Sequence, residues 1–402
     1  MSSQGEDDAR RRILPRLAGH PEALAALTLD QWDLVVRQAM RAGILARLCF
    51  QLDELGVLDQ VPERPRRHLE SARTLAHKHM RDVRWEVTCV CRVLAESQVP
   101  ITLLKGAAYV MADLPPARGR LFSDIDFMVP RERIGEVEQI LAEADWGPEV
   151  KDDYDQRYYR LWTHQIPPLR HFKRNTVLDV HHTIVPLTAR APVEAATLAA
   201  ESLPLGQDGQ LRVLAPTDMV LHSAVHLFNE GEFDRGLRDL LDLSDLLRHF
   251  GAQPGFWDKL AERAEVLGLT GPLSLTLRYL DSLLDMALPD SIRQAATGWQ
   301  PSAAKRAVFD ALLLRALLPD HDSCDDALTG TARWLLYVRA HYLRMPLYLL
   351  LPHLLRKSFY RPREPKGGTD RQQLQAHIEQ LLRLTPRAKS GTRHAKAPDH
   401  LN

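Results

Sequence analysis

Apolar residues recur at spacings of three and four through the first quarter of the chain. In LDQWDLVVRQAMRAGILARLCFQL (residues 29–52), Trp32, Val35, Val36 and Met40 fall on one helical stripe. Residues 1–98 therefore read as a helical domain. From Val99 the period changes. VPITLLKG (99–106) is a short β-rich run, AAYVMADL (107–114) a helical turn or two, SDIDFMV (123–129) a second strand, and RERIGEVEQILAEAD (131–145) an amphipathic helix; TVLDVHHTIV (176–185) is a further β-branched run. Strands alternating with helices predict a small mixed α/β domain over 99–190. A proline-punctuated connector follows at 191–215, with a hairpin expected around GQDGQ (206–210). Helical periodicity returns over 216–384. APTDMVLHSAVHLF (215–228) opens with Thr217 as the expected N-cap and Asp218 in the first turn. Residues 385–402 are basic and lack large apolar groups, so a disordered tail is expected there.

The chain's 402 residues exceed what one small core holds, which favours several packed units. Its 52 basic and 52 acidic side chains cancel, so it lacks the overall positive charge that a long nucleic-acid track needs. Cys49, Cys89, Cys91 and Cys324 form no C-x-x-C pair and no regular framework, which fits neither a zinc site nor a disulfide scaffold; a cytoplasmic setting is the simplest expectation. The N-terminal MSSQGEDDARRR has no apolar stretch behind its charges, unlike a signal peptide. MPLYLLLPHLL (345–355) falls short of the roughly 20 residues of a transmembrane helix, and it reads as a buried helix rather than a membrane-surface one.

The chemistry begins at RLFSDIDFMVP (120–130). Asp124 and Asp126 are two residues apart in an apolar strand and project to the same side, about 7 Å apart. Like charges on a half-buried sheet need compensation, and a divalent cation is the simplest source. Asp179 supplies a third carboxylate in a similar β-branched run, with His181 at the next position on its side. Carboxylates so arranged can hold metal ions for in-line phosphoryl displacement. His222 and His226 stand four apart on a helix, but Ser223 occupies the place of the glutamate in a zinc-protease motif; they face a cleft or the core. Arg235, Arg238, Asp239 and Asp242 are expected to form a charge network near them.

TLLKGAAYV (102–110), then PPARGRLFSDIDFMVP (115–130), then LDVHHTI (178–184) form a set that resembles the uncharacterised nucleotidyltransferase family of the polymerase-β-like nucleotidyltransferase superfamily. The spaced histidines and acids of LHSAVHLFNEGEFDRGLRDLLDLSDLL (221–247) extend the resemblance, which covers roughly 20–250. It implies an α+β fold, a small mixed-sheet nucleotidyltransferase core flanked by N-terminal and C-terminal helical domains. It implies Asp124, Asp126 and Asp179 as catalytic ligands of Mg2+ or Mn2+. Nucleotide contacts are implied at Lys105, Gly106, Ala107, Arg118, Arg120, Ser123, His181, His222 and His226. The wider superfamily carries Gly-Ser where this chain has Lys105-Gly106-Ala107, so phosphate contacts would come from backbone amides and the lysine charge. Lys105 as a plain surface lysine stays open, as does the choice between phosphate contact and charge balance for Arg118 and Arg120.

The implied reaction moves a nucleoside monophosphate from a nucleoside triphosphate to a hydroxyl- or phosphate-bearing acceptor, a small molecule, saccharide, peptide or protein, with release of pyrophosphate. Two alternatives are a nucleotide-sugar-dependent transferase and a non-catalytic module that binds nucleotide or protein.

Overall fold

The structure, a computed structural model, describes residues 8–149, 152–206 and 209–350. The early helices include α1 (Ile13–Gly19), α2 (Leu29–Ala42), α3 (Leu45–Glu54) and α4 (Glu63–Leu94). Helix α2 starts at a capping box, with Thr28 accepting from the Gln31 amide and Gln31 reaching back, and stops at Gly43 in the left-handed conformation. It buries Trp32, Val35 and Val36, but Met40 is 60% exposed and Ala39 takes the core position instead. Helix α4 has 32 residues and lies along α3 on one side.

The middle of the chain holds β1 (Ile101–Leu103), α5 (Lys105–Met111), β2 (Ile125–Met128), α6 (Ile134–Glu143), β3 (Trp146–Pro148), α7 (Asp153–Trp162), β4 (Leu169–His171), β5 (Val177–His181), α8 (Ala195–Glu201), β6 (Leu203–Pro204) and β7 (Leu211–Val213). The seven strands form one mixed sheet in the order β3-β4-β5-β2-β1-β7-β6. Strand β2 lies antiparallel to β1 and parallel to β5, and every residue of β2 is buried. The hairpin expected around GQDGQ is β6–β7.

Seven helices follow: α9 (Pro216–Asn229), α10 (Gly236–Gly251), α11 (Phe256–Val266), α12 (Thr270–Leu284), α13 (Asp290–Trp299), α14 (Ala303–Ala316) and α15 (Thr329–Arg344). Thr217 is not the cap of α9. Pro216 occupies the first helical position, where its fixed φ and missing N–H suit the helix start, and this moves the cap back to Ala215. Asp218 does lie in the first turn, fully buried, and takes both its hydrogen bonds from Arg263 at 2.6 and 2.7 Å.

Hydrophobic packing runs without a break from Leu14 through the sheet to Leu336. Helix α1 packs on α12, so the chain's first helices and its later ones share a core. The resulting architecture is α+β, a mixed sheet set among helices. Of the segment 345–355, Met345 and Leu350 are buried, whereas Leu347 and Tyr348 are more than half exposed; residues 351–355 and the basic tail lie outside the described residues. Among the described residues, no helix is long and apolar enough to cross a membrane.

Candidate metal and nucleotide site

The parallel register of β2 on β5 sets Asp126 opposite Asp179 and Met128 opposite His181. Adjacent strands thus bring two carboxylates side by side in the sheet interior. Asp126 is 4% exposed and His181 not at all. Asp126 Oδ1 lies 3.2 Å from Lys105 Nζ and 3.1 Å from His181 Nε2. Burial alone would push the Asp126 carboxyl up, but Lys105 and His181 overcome it and hold the carboxyl well below the usual range. Lys105 responds in kind. Burial works against its charge, yet Asp126, Glu230, Asp124 and Asp179 raise its pKa above the ordinary lysine value.

Asp179 is in the opposite condition. Burial first, then the charges of Asp126 and Asp124, push it up to about 8. Its Oδ1 is buried without a hydrogen-bond partner, as is His181 Nδ1. Asp126, Asp179 and His181 each bring a donor atom within 4.8 Å of the others. An orphaned carboxylate oxygen beside a second carboxylate and an imidazole fits a divalent cation, and the mixed oxygen and nitrogen set suits Mn2+ as well as Mg2+.

Asp124 departs from the expected ligand set. It precedes the first paired residue of β2, Ile125, so the ladder does not carry it against Asp179. It stands outside the close group, partly exposed, and accepts a hydrogen bond from Ser123 Oγ at 3.0 Å.

A polar cavity of about 240 Å3 opens beside Asp126, with Lys105, Gly106, Arg120, Ser123, Asp124, His226, Arg235, Arg238 and Asp239 also in its lining, whereas Asp179 and His181 lie outside it. Its floor is the turn from β1 into α5. Lys105 sits there at φ +41°, a conformation that costs a non-glycine residue on the order of 1 kcal/mol. Gly106 has no room for a side chain, since a Cβ would lie 2.7 Å from the Phe122 ring. Ala107 is buried and does not line the cavity.

Arg118 and Arg120 separate cleanly. Arg118 is exposed and bonds Glu54 at 2.6 Å, away from the cavity. Arg120 enters the cavity wall and bonds Asp242, with Asp239 at 3.7 Å. Between them, Gly119 at φ +76° passes so close to α3 that a Cβ would fall 2.4 Å from the Arg47 nitrogen. Arg47 pairs in turn with Asp242 at 3.3 Å and with Asp245. Of the expected network, Arg238 bonds Asp239 at 2.7 Å, whereas Asp242 turns to Arg47 and Arg120 on other elements and Arg235 lines the cavity outside these contacts. Burial and the neighbouring Arg238 bring Arg120 down to about 10.

His226 faces the cavity, whereas His222 is 2% exposed and lies outside the lining. Burial lowers the pKa of both. Two residues that the sequence analysis did not single out complete the centre. Glu230 lies 3.4 Å from His226 Nε2 and 3.9 Å from His164 Nε2. His164 stacks on His181 with ring centroids 5.0 Å apart. Burial would raise the Glu230 carboxyl, but His226, Lys105, Arg344 and His164 hold it well below the usual range. The four-residue step from His226 to Glu230 was a usable clue. His164, in a loop between α7 and β4, offered none.

The sequence model of a family described as uncharacterised nucleotidyltransferase matches residues 28–285, a span that includes the cavity, the two strands and the helices α9 and α10. Neither a curated protein nor a solved structure matches the chain.

Proposed function

The chain belongs to the uncharacterised nucleotidyltransferase family, and from that premise we propose a divalent-cation-dependent transfer of a nucleoside monophosphate from a nucleoside triphosphate to an acceptor. The observation that carries this reading is the pairing of Asp126 with Asp179, one carboxylate balanced and the other left with a partnerless oxygen, next to a cavity that Asp126, Lys105 and Arg120 line.

Asp126 and Asp179 would hold the cation, with His181 behind them and Asp124 at the cavity rim. When bound, Mg2+ or Mn2+ supplies charge that polarises the phosphate and lowers the acceptor hydroxyl's pKa. The chain's own residues do the remaining work. Lys105 and Arg120 bind phosphate oxygens and offset their charge. His181 keeps Asp126 oriented through Nε2. The acceptor oxygen bonds to the α-phosphorus, the α–β anhydride bond breaks, and pyrophosphate leaves with the electron pair. The acceptor's proton passes to solvent, since Asp179 Oδ1 would be taken up by the cation.

A second reading is a nucleotide-binding module without turnover. The Lys105–Asp126 pair favours it, because the lysine already balances that carboxylate. Thermal unfolding with each ribonucleoside triphosphate, with Mg2+, Mn2+ or neither, tests the first reading. Ligand at about 100 times its dissociation constant adds roughly 2.7 kcal/mol of stability. A cation-dependent rise in Tm for one nucleotide, absent in Asp126→Asn, together with pyrophosphate release, is the expected result. A nucleotide shift indifferent to cation and to Asp126→Asn would transfer the case to the binding module.

A further inference from the structure

A second cavity, about 280 Å3, lies beside the first between the segment after β5 and helices α9, α12, α14 and α15. Its walls are mainly apolar, with Ile184, Val225, Leu275, Trp299 and Phe309 among them. Four cations also face it, Arg190, Lys305, Arg339 and Arg344, against the single carboxylate of Glu230. That carboxylate is engaged by His226 and His164. The cations' contacts are to carbonyls and rings. Arg339 donates to Phe228 O at 2.6 Å, Arg344 to Glu230 O, and Arg190 to Tyr342 O at 3.3 Å while stacking on the Tyr342 ring at 3.9 Å. Lys305 Nζ lies 5.8 Å from the Phe309 ring centre. Among the described residues, none of the four forms an ion pair with a carboxylate.

Four cations around an apolar cavity outnumber its one carboxylate, which Arg344 already helps to balance, and the remaining excess creates a potential that an anion relieves, while the walls favour an apolar body. The position matters as much as the lining. Glu230 borders this cavity, and its partner His226 borders the polar one, so the His226–Glu230 pair is the partition between them. We propose that this second cavity is the acceptor subsite and takes a small amphipathic anion, an apolar body bearing a carboxylate or phosphate. That the ligand is an acceptor rests on the nucleotidyl-transfer reading; that the cavity binds an amphipathic anion does not.

The test uses the full chain and fluorescence titration with an anionic probe, 1-anilinonaphthalene-8-sulfonate, against its neutral counterpart, N-phenyl-1-naphthylamine. The anionic probe binds about tenfold more tightly. Exposed Lys305 can be changed without disturbing the core, and Lys305→Glu weakens the anionic probe about tenfold while the neutral probe stays within about twofold. Ser274→Trp, which fills the cavity from α12, abolishes binding of both. Displacement by octanoate or octyl phosphate but not octanol confirms the anion requirement, and the anion effective at lower concentration identifies the head group. Equal affinity for both probes, indifference to Lys305→Glu, retained binding in Ser274→Trp, or displacement by octanol as well as by the anions would each overturn the assignment. Anion binding alongside an absent nucleotide shift would remove only the word acceptor.

Discussion

At the scale of the residue, Asp179 dominates the electrostatics. An aspartate in the unfolded chain titrates near 3.8, and burial with Asp126 and Asp124 holds Asp179 near 8. The folded chain therefore keeps a proton that the unfolded chain has lost between those values. With cations chelated, this group costs nothing below pH 4, an increasing amount as pH rises, and its full penalty above pH 8. Asp179→Asn removes that dependence. Urea unfolding in EDTA should find the variant close to wild type at pH 5 and more stable at pH 8, by on the order of 2 kcal/mol once solvent entry around a charged carboxylate is allowed for. Mg2+ at pH 8 should stabilise wild type and leave the variant unmoved. A wild type as stable at pH 8 as the variant would show that Asp179 is charged and already compensated. The pair Asp126 and Asp179 was readable from sequence because acids in β-branched strands violate the strand's own pattern. Asp124 obeyed the same reading and still fell outside the close group, since a two-residue step fixes direction but not where the ladder begins.

At the scale of the element, the loop from α5 to β2 places Arg120, and Gly119 is its hinge. The glycine has a left-handed φ and no space beside Arg47, so Gly119→Ala must push the loop off α3. The expected cost is about 2–4 kcal/mol of stability, with nucleotide affinity lowered through misplaced Arg120. Gly206→Ala is the control. It also has a positive φ but meets nothing within 4 Å, so its cost is about 1 kcal/mol and nucleotide affinity is untouched. Chemical unfolding and nucleotide titration of both variants check this, and equal losses at the two glycines would refute the hinge. Elements with strong punctuation or periodicity were legible: β1, β2, β5, α6 and the β6–β7 hairpin. Strands β3 and β4 were not, because Trp146–Pro148 and Leu169–His171 hold no β-branched residue, and their place comes from long-range pairing, β3 on β4 and β4 on β5.

At the scale of the whole molecule, the changes of pattern near residues 98 and 215 mark changes of secondary structure within a continuous hydrophobic core. Sequence periodicity could not disclose this, because the joining contacts are far apart in the chain. Arg47 on α3 and Asp242 on α10 are the decisive case. Their side chains are 8% and 3% exposed, and Asp242 also holds Arg120 at the cavity wall. One carboxylate thus ties the first helices, the cavity loop and the later helices together. Removing a single partner of a buried pair leaves the other charge uncompensated, at a cost of about 3–5 kcal/mol, whereas replacing both is often near neutral. Arg47→Met should therefore lower stability by about 3 kcal/mol, at the lower end of that range because Asp242 keeps Arg120 as a partner and Asp245 is partly solvated. Asp242→Asn in the same chain should recover part of the loss but lower nucleotide affinity, because this second change is the one that removes the anchor of Arg120. Affinity retained in the double variant would mean that Arg120 is held by Asp239 and the surrounding rings, and that α3 contributes packing alone to the site.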